Sequence, residues 1–324
     1  MFRRLPRSSL GRRCAARFVT PEQIDASRRL LAALKARSYH FVTPTPATHA
    51  RVVARKRTAN DLRDVFGWSL PFSVEILEPE VFGLLESAGA LVQRGDAWAS
   101  SVRVSSLGEL PFLHSAYPTT APDSVFFGPD SYRFASFLMT ELPKAAPRHH
   151  VVDIGAGSGV GAAMATCFPD AMITLADINP TALDFARANL SQLHNAKFSF
   201  IESDGLAAID GAIDCIIANP PYIADPDHRL YRDGGAMHGG ALSLRWAREA
   251  AKRLEPGGLF ALYMGSAIVD GRDALKAALH EALSDFHVAY REIDPDVFGE
   301  ELERADYADV ERIAVIGLVA IKKR

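Results

Sequence analysis

Asp214-Cys215-Ile216-Ile217-Ala218-Asn219-Pro220-Pro221-Tyr222 is a short apolar run that ends in an amide, two prolines and a tyrosine. An unbroken apolar run of this length reads as a strand buried on both faces, the habit of parallel sheets. Proline has no N–H and a fixed φ, so Pro220-Pro221 must end the strand in a stiff, extended turn. The carboxyl end of a parallel strand is where open α/β sheets bind their ligands. There the amide oxygen of Asn219 and the carbonyl of Pro220 can accept both hydrogens of a planar –NH2 group, with Tyr222 available to stack on its face.

Outward from that stretch the pattern is regular. Strand-like runs at 150–154, 172–176, 197–201, 214–218 and 258–264 alternate with helical segments at 159–168, 180–193 and 241–254. Such alternation predicts a parallel sheet with helices on both faces. A helix near 271–284 and strands near 286–292 and 312–322 complete the chain, the last two as an antiparallel pair at one edge.

Each strand end carries chemistry. The first runs Val151-Val152-Asp153-Ile154-Gly155-Ala156-Gly157-Ser158-Gly159-Val160-Gly161. Glycines at a strand-to-helix turn let the backbone approach a ligand where a Cβ would collide. The dinucleotide fingerprint wants glycine at its sixth position, where this chain has Val160, so a dehydrogenase is disfavoured. The second strand ends at Asp177-Ile178-Asn179-Pro180. A carboxylate at Asp177 can accept both hydroxyls of a ribose, or can serve only as a helix cap. The third ends Glu202-Ser203-Asp204-Gly205, and Asp204 on the same sheet edge can accept an adenine amino group or stand idle in its loop.

The order of these features resembles the class I S-adenosylmethionine-dependent methyltransferases. Within them it resembles the Asn-Pro-Pro-Tyr subgroup, the HemK-like protein-glutamine N5 and nucleic-acid amino methyltransferases, over roughly residues 125–324. The resemblance implies a Rossmann-like domain with a mostly parallel seven-stranded sheet and an antiparallel last strand. It implies S-adenosylmethionine as cofactor, with Asp153, Gly155 and Gly157 facing its methionine part, Asp177 its ribose, and Ile178 and Asp204 its adenine. Asn219, Pro220, Pro221 and Tyr222 would bind and activate the nitrogen that receives the methyl group, and Asn219 would also border the bound cofactor. Phe127, in Val125-Phe126-Phe127-Gly128, is a candidate wall for the substrate or an ordinary core residue.

Two acceptor classes share the motif: a protein glutamine, as in translation factors, and an exocyclic amine of RNA or DNA. Glutamine enzymes of this kind carry a Glu-Pro after the motif and then a Gly-Gly. Here Ile223-Ala224-Asp225-Pro226 follows, and Tyr231-Arg232-Asp233 precedes Gly234-Gly235. A small-molecule N-methyltransferase and a nucleic-acid-binding regulator without turnover are the other readings.

The amino-terminal third supplies the contrast. Residues 1–63 hold 15 Lys and Arg against 3 Asp and Glu, in a chain of net charge −3. A basic segment on an acidic body fits a nucleic-acid or ribonucleoprotein surface, or an ordinary solvated arm. We expect a basic tail over 1–20, with an organelle transit peptide as the alternative. A substrate-recognition domain is expected over 21–120 and the methyltransferase domain over 121–324. In the former, helices at 21–37, 47–57, 61–67 (capped by Asn60) and 79–88 precede strands at 90–94 and 97–106 joined by Gly95-Asp96, a winged-helix-like order. Residues 118–122 read as a linker, followed by a helix over 131–142. Three widely spaced cysteines and no His-Glu-x-x-His arrangement predict a cytoplasmic chain without a metal. No apolar run approaches the roughly 20 residues that span a bilayer, so no membrane partner is expected.

Overall fold

Four helices open the described part of the chain in the computed structural model, which covers residues 20–324. They are α1 (Pro21–Ala36), α2 (Pro46–Val53), α3 (Leu62–Phe66) and α4 (Pro79–Ser87). The basic stretch 1–20 lies, Thr20 apart, outside the described residues. Thr20 starts α1: its side chain accepts from the Gln23 N–H, the Gln23 side chain answers on the Thr20 N–H, and Pro21 takes the first helical position. α3 is capped by Asp61, whose side chain accepts from the Asp64 N–H, and not by Asn60. α2 stops at Val53, short of the expected 57, because Arg55 and Lys56 donate three residues back and tighten the chain into a turn.

Two hairpins follow where sequence reading expects one. β1 (Leu91–Arg94) pairs antiparallel with β2 (Ala97–Ser100) across Gly95-Asp96, and β3 (Val102–Leu107) pairs with β4 (Leu110–Ser115) across Gly108-Glu109. The single strand expected over 97–106 is broken at Ser101. There Ser100 Oγ bonds the Val102 backbone, and Ser101 turns its own N–H and Oγ onto the Ala90 carbonyl. Such side-chain bonds compete with the ladder and redirect the strand.

The second half begins with α5 (Pro129–Glu141) and then builds the sheet. Its elements are β5 (His150–Ile154), α6 (Val160–Met164), β6 (Met172–Asp177), α7 (Pro180–Leu190), β7 (Lys197–Glu202), β8 (Ile213–Ala218), α8 (Ala241–Arg253) and β9 (Leu254–Val269). β10 (Arg272–Asp273), α9 (Ala274–Ala282), β11 (Phe286–Asp294) and β12 (Arg312–Lys322) complete it. The strand order is β11-β12-β9-β8-β5-β6-β7, with two-residue β10 off this path against β9. β5 to β9 run parallel, and β12 lies antiparallel between β9 and β11. The antiparallel pair thus sits at one edge, as its sequence suggests.

Alternate residues on each strand feed opposite layers, the period of two that a strand imposes. Val151, Cys215 and Ile217 join the layer of α5, α6 and α7, while Val152, Ile216 and Ala218 join that of α8 and α9. A third cluster fills the amino-terminal helices and hairpins, and Ala182, Phe185 and Ala188 of α7 belong to it, so α7 is buried on both sides.

Chain order positions the site. From β5 the chain steps outward to β6 and β7, then returns to β8 on the other flank of β5. The sheet therefore has its switch point between β5 and β8, where the two loops leave in opposite directions and open a crevice.

Candidate active site

A cavity of about 330 Å³ occupies that crevice. Its floor is the β5–α6 loop. Gly155, Gly157 and Gly159 all have left-handed φ (65°, 53° and 87°), which L side chains rarely adopt. A Cβ on Gly157 would meet nothing closer than 3.9 Å, so its absence leaves open space beside the loop. A Cβ on Gly155 would sit 2.6 Å from the Trp246 ring, which packs flush against the turn. The indole N–H of Trp246 is buried without a hydrogen-bond partner, and Trp246 borders the cavity.

Asp177, at the end of β6, ties the floor to its neighbour. Its Oδ2 accepts from the Gly157 N–H (2.9 Å) and its Oδ1 from the Asn179 N–H (2.8 Å). Each carboxylate oxygen has a second lone pair, so the group can hold the loop and still accept from a ligand. Burial pushes its carboxyl above the usual range, against the pull of those two N–H groups. The helix cap at this corner is Asn179, which accepts from the Thr181 N–H at 3.0 Å. Ile178 borders the cavity and is 51% exposed. Asp204 also borders it, but both its oxygens are engaged by Arg245 (2.5 and 2.9 Å), which holds its carboxyl below the usual range. Any amine reaching Asp204 must share it with that guanidinium.

Two expected residues stand elsewhere. Asp153 does not border the cavity: it is buried behind the loop, its Oδ2 accepting from the Ala162 N–H in the first turn of α6 (2.7 Å). Phe127 is only 2% exposed and packs with Phe112, His114 and Tyr132 in the core; the aromatic at the cavity is its neighbour Phe126. The physical reason is the extended entry to α5, which turns adjacent side chains to opposite sides.

Burial pushes the Asp153 carboxyl up to about 8, with the nearby Asp177 adding to the effect. A carboxyl raised in the folded state contributes stability that is fully present below its unfolded pKa of about 3.9 and is lost as pH rises through the folded value. The thermal midpoint of the ligand-free protein should therefore fall as pH rises from about 4 to about 8 and level off above it, and Asp153→Asn should flatten that fall. A variant with an unchanged slope would remove the assignment.

The wall opposite the glycine loop is Asn219-Pro220-Pro221-Tyr222. Asn219 is half-buried and donates from Nδ2 to Asp130 Oδ2 (3.2 Å), while its Oδ1 has no partner among the described residues. Tyr222 is 5% exposed, and its hydroxyl donates to Asp130 Oδ1 at 2.5 Å. Its ring lies edge-on to Phe298 and against Gly265, where a Cβ would come within 2.2 Å. Tyr222 is therefore an anchored wall rather than a free stacking plate. Tyr263 of β9 donates a second phenol to Asp130 Oδ1 at 2.7 Å.

The loop after the motif is pinned to it. Gly234 donates to the Ile223 carbonyl (2.8 Å), and a Cβ there would fall 1.9 Å from the Gly239 oxygen and 2.6 Å from that of Pro221. Here backbone lies on backbone, which explains the glycine. Arg229 clamps Asp225, and Arg232 pairs with Glu301, fixing the loop to the segment before β12. Tyr231 stacks on Phe126 (5.9 Å, 6° between planes), and both border the cavity mouth. Sequence reading missed Asp130, Tyr263, Tyr231 and Trp246, and of the Phe126-Phe127 pair it weighed as a pocket wall it chose the wrong member. Only Pro129-Asp130 before a helix carried a signal, that of an acid in a first helical turn. Among the described residues no group of three or more His, Cys, Asp or Glu side chains is placed to hold a metal, and no helix is long and apolar enough to cross a membrane.

The family described as "Methyltransferase small domain" matches residues 124–288, which contain the whole glycine loop, Asp177, Asp204 and the Asn219–Tyr222 turn. A release factor glutamine methyltransferase of Bordetella pertussis is 31% identical over 222 residues, 64% of this chain and 74% of its own length. One of Koribacter versatilis is 34% identical over 160 residues, 45% of this chain and 54% of its own, so the chain spans little more than half that relative. A ribosomal RNA large subunit methyltransferase G of Alcanivorax borkumensis is 35% identical over 127 residues, 38% of this chain and 30% of its own.

Proposed function

We propose, for a chain that belongs to the methyltransferase small-domain family, that it transfers a methyl group from S-adenosylmethionine to a planar amide or amino nitrogen. The observation that carries this reading is Asn219. It stands at the carboxyl end of β8 with an unpartnered amide oxygen, across one cavity from a glycine loop tied to Asp177. The residues fit the cofactor: open space at Gly157, an exposed apolar Ile178 and spare lone pairs on Asp177. Bound there, S-adenosylmethionine supplies a methyl group already activated on a sulfonium sulfur.

What remains for the protein is position and polarity. An amide or aryl amine nitrogen is a poor nucleophile because its lone pair is delocalised. Hydrogen bonds from its two protons to Asn219 Oδ1 and the Pro220 carbonyl raise the electron density on nitrogen and fix its approach. The N–CH3 bond would form as the S–CH3 bond breaks, and the nitrogen would then release one proton to solvent. The anchored ring of Tyr222 bounds the site.

A protein glutamine is the acceptor favoured by the two release-factor relatives. A second reading, a base of RNA or DNA, is favoured by a separate observation. Arg51, Arg55, Arg57 and Arg63 are exposed and form no ion pair among the described residues. They lie in α2, α3 and the turn between, and a ring contact between His49 of α2 and Tyr117 (4.2 Å) leads through Thr119 to Tyr231 at the cavity mouth. The stacked Phe126–Tyr231 pair there could receive a flat base once it is extruded.

One experiment separates them: incubate the protein and tritiated S-adenosylmethionine with cell extract, then treat with protease or nuclease. Label released by protease alone selects glutamine, and label released by nuclease alone selects a base. Counts confined to small molecules select a small-molecule acceptor, and no transfer at all would leave only a binding role.

A further inference from the structure

Resting on the reading above, we propose that Asp130 is the positioning residue that sets the polarity of Asn219, holding Nδ2 inward so that Oδ1 is the end presented to the acceptor nitrogen. The need arises from the asparagine itself. Its amide has an accepting and a donating end of nearly the same shape, and nothing in the residue selects between them. For an acceptor bearing N–H groups the choice is decisive: Oδ1 receives a proton, while Nδ2 would oppose one donor with another.

Asp130 makes the choice because an ionised carboxylate only accepts. It is the second residue of α5, where a helix amino terminus favours a negative charge, and it is 6% exposed. Three donors converge on it: the hydroxyls of Tyr222 and Tyr263 on Oδ1, at 2.5 and 2.7 Å, and Nδ2 of Asn219 on Oδ2, at 3.2 Å. Burial and the neighbouring carboxylate push both phenols above their ordinary range, so each keeps the proton it donates. Burial holds the Asp130 carboxyl above its ordinary range, although the same three donors and the charge of Arg133 pull it down. The nearest basic residue on its helix, Arg133, is ion-paired with Asp294 instead (3.0 Å). Asn219 thus has one charge to face and one orientation that satisfies it. The tyrosines hold that charge in place from the motif and from β9, and Gly265 leaves the room that lets Tyr222 reach it.

Asp130→Asn is the informative variant because it keeps shape and reverses polarity. The new amide can accept the two phenol protons with its oxygen, which turns its own –NH2 toward Asn219 and forces that side chain over. In protein labelled with 15N-asparagine, with Asn219 identified by its loss in Asn219→Asp, the wild-type Asn219 side-chain protons should be inequivalent and slow to exchange with water. Asp130→Asn should change both properties, and tritium transfer from S-adenosylmethionine into cell extract should fall about 100-fold, well beyond any loss of cofactor affinity by calorimetry. Wild-type Asn219 protons that exchange like those of an exposed asparagine would overturn the proposal without any variant. So would Asp130→Asn with unaltered Asn219 signals, or with altered signals and undiminished transfer. If Asn219→Ala also transfers normally, the reading of the site itself has failed, and the exchange data still decide what Asp130 does.

Discussion

Asn219→Ala should lower methyl transfer by about 100- to 1,000-fold while leaving S-adenosylmethionine affinity within about threefold, because on the proposed reading the lost oxygen acts on the acceptor more than on the cofactor. The size follows from the role. A pre-aimed acceptor in a closed site stabilises charge developing on the nitrogen and does not reorganise as it develops, which is why single oxyanion donors elsewhere are worth comparable factors. Alanine also leaves Asp130 with one donor fewer, but the two phenols remain on its other oxygen. Calorimetry with S-adenosylmethionine and tritium incorporation into extract together read the two halves. A variant that binds and transfers like wild type removes Asn219 from the chemistry.

If Asp177 holds the ribose as proposed, Asp177→Ala should weaken S-adenosylmethionine binding by about 100-fold or more, since hydrogen bonds to a charged partner are worth about 1.5–3 kcal/mol each and two ribose hydroxyls would lose theirs. The same change frees the N–H groups of Gly157 and Asn179, so the glycine loop loses its tie to β6 as well. Asp177→Asn separates the contributions: it retains one accepting oxygen and should fall between wild type and alanine. Titration calorimetry supplies the affinities, and melting of the ligand-free variants shows how much belongs to the loop. Affinity unchanged in the alanine variant would take the ribose away from Asp177.

The two residues that dominate these expectations were both legible as text, for the same reason. Each is a polar residue that ends an apolar strand, and a parallel sheet places all such ends on one edge. Asp153 shows the limit of that reasoning. It also lies near a strand end, two residues before the first glycine, but within the strand its side chain turns behind the loop onto α6. Phe127 shows the same limit by one residue: Phe126 and Phe127 are equivalent in composition, and only the direction of the extended segment decides which meets the cavity.

The second hairpin was missed because Ser100 and Ser101 break the strand through their own side-chain bonds, which leave no mark on the apolar pattern.

By itself, the sequence determined the alternation of strands and helices, the glycine turn, and the amide-proline turn that places an acceptor beside it. These are local: period, backbone freedom and the stiffness of proline act within a few residues. Only the tertiary structure decided that Asp130, 89 residues before Asn219, shares a hydrogen bond with it, and that Tyr263 of another strand holds the same carboxylate. A buried charge gathers its donors from whatever elements the fold brings together, and no spacing in the chain records that convergence.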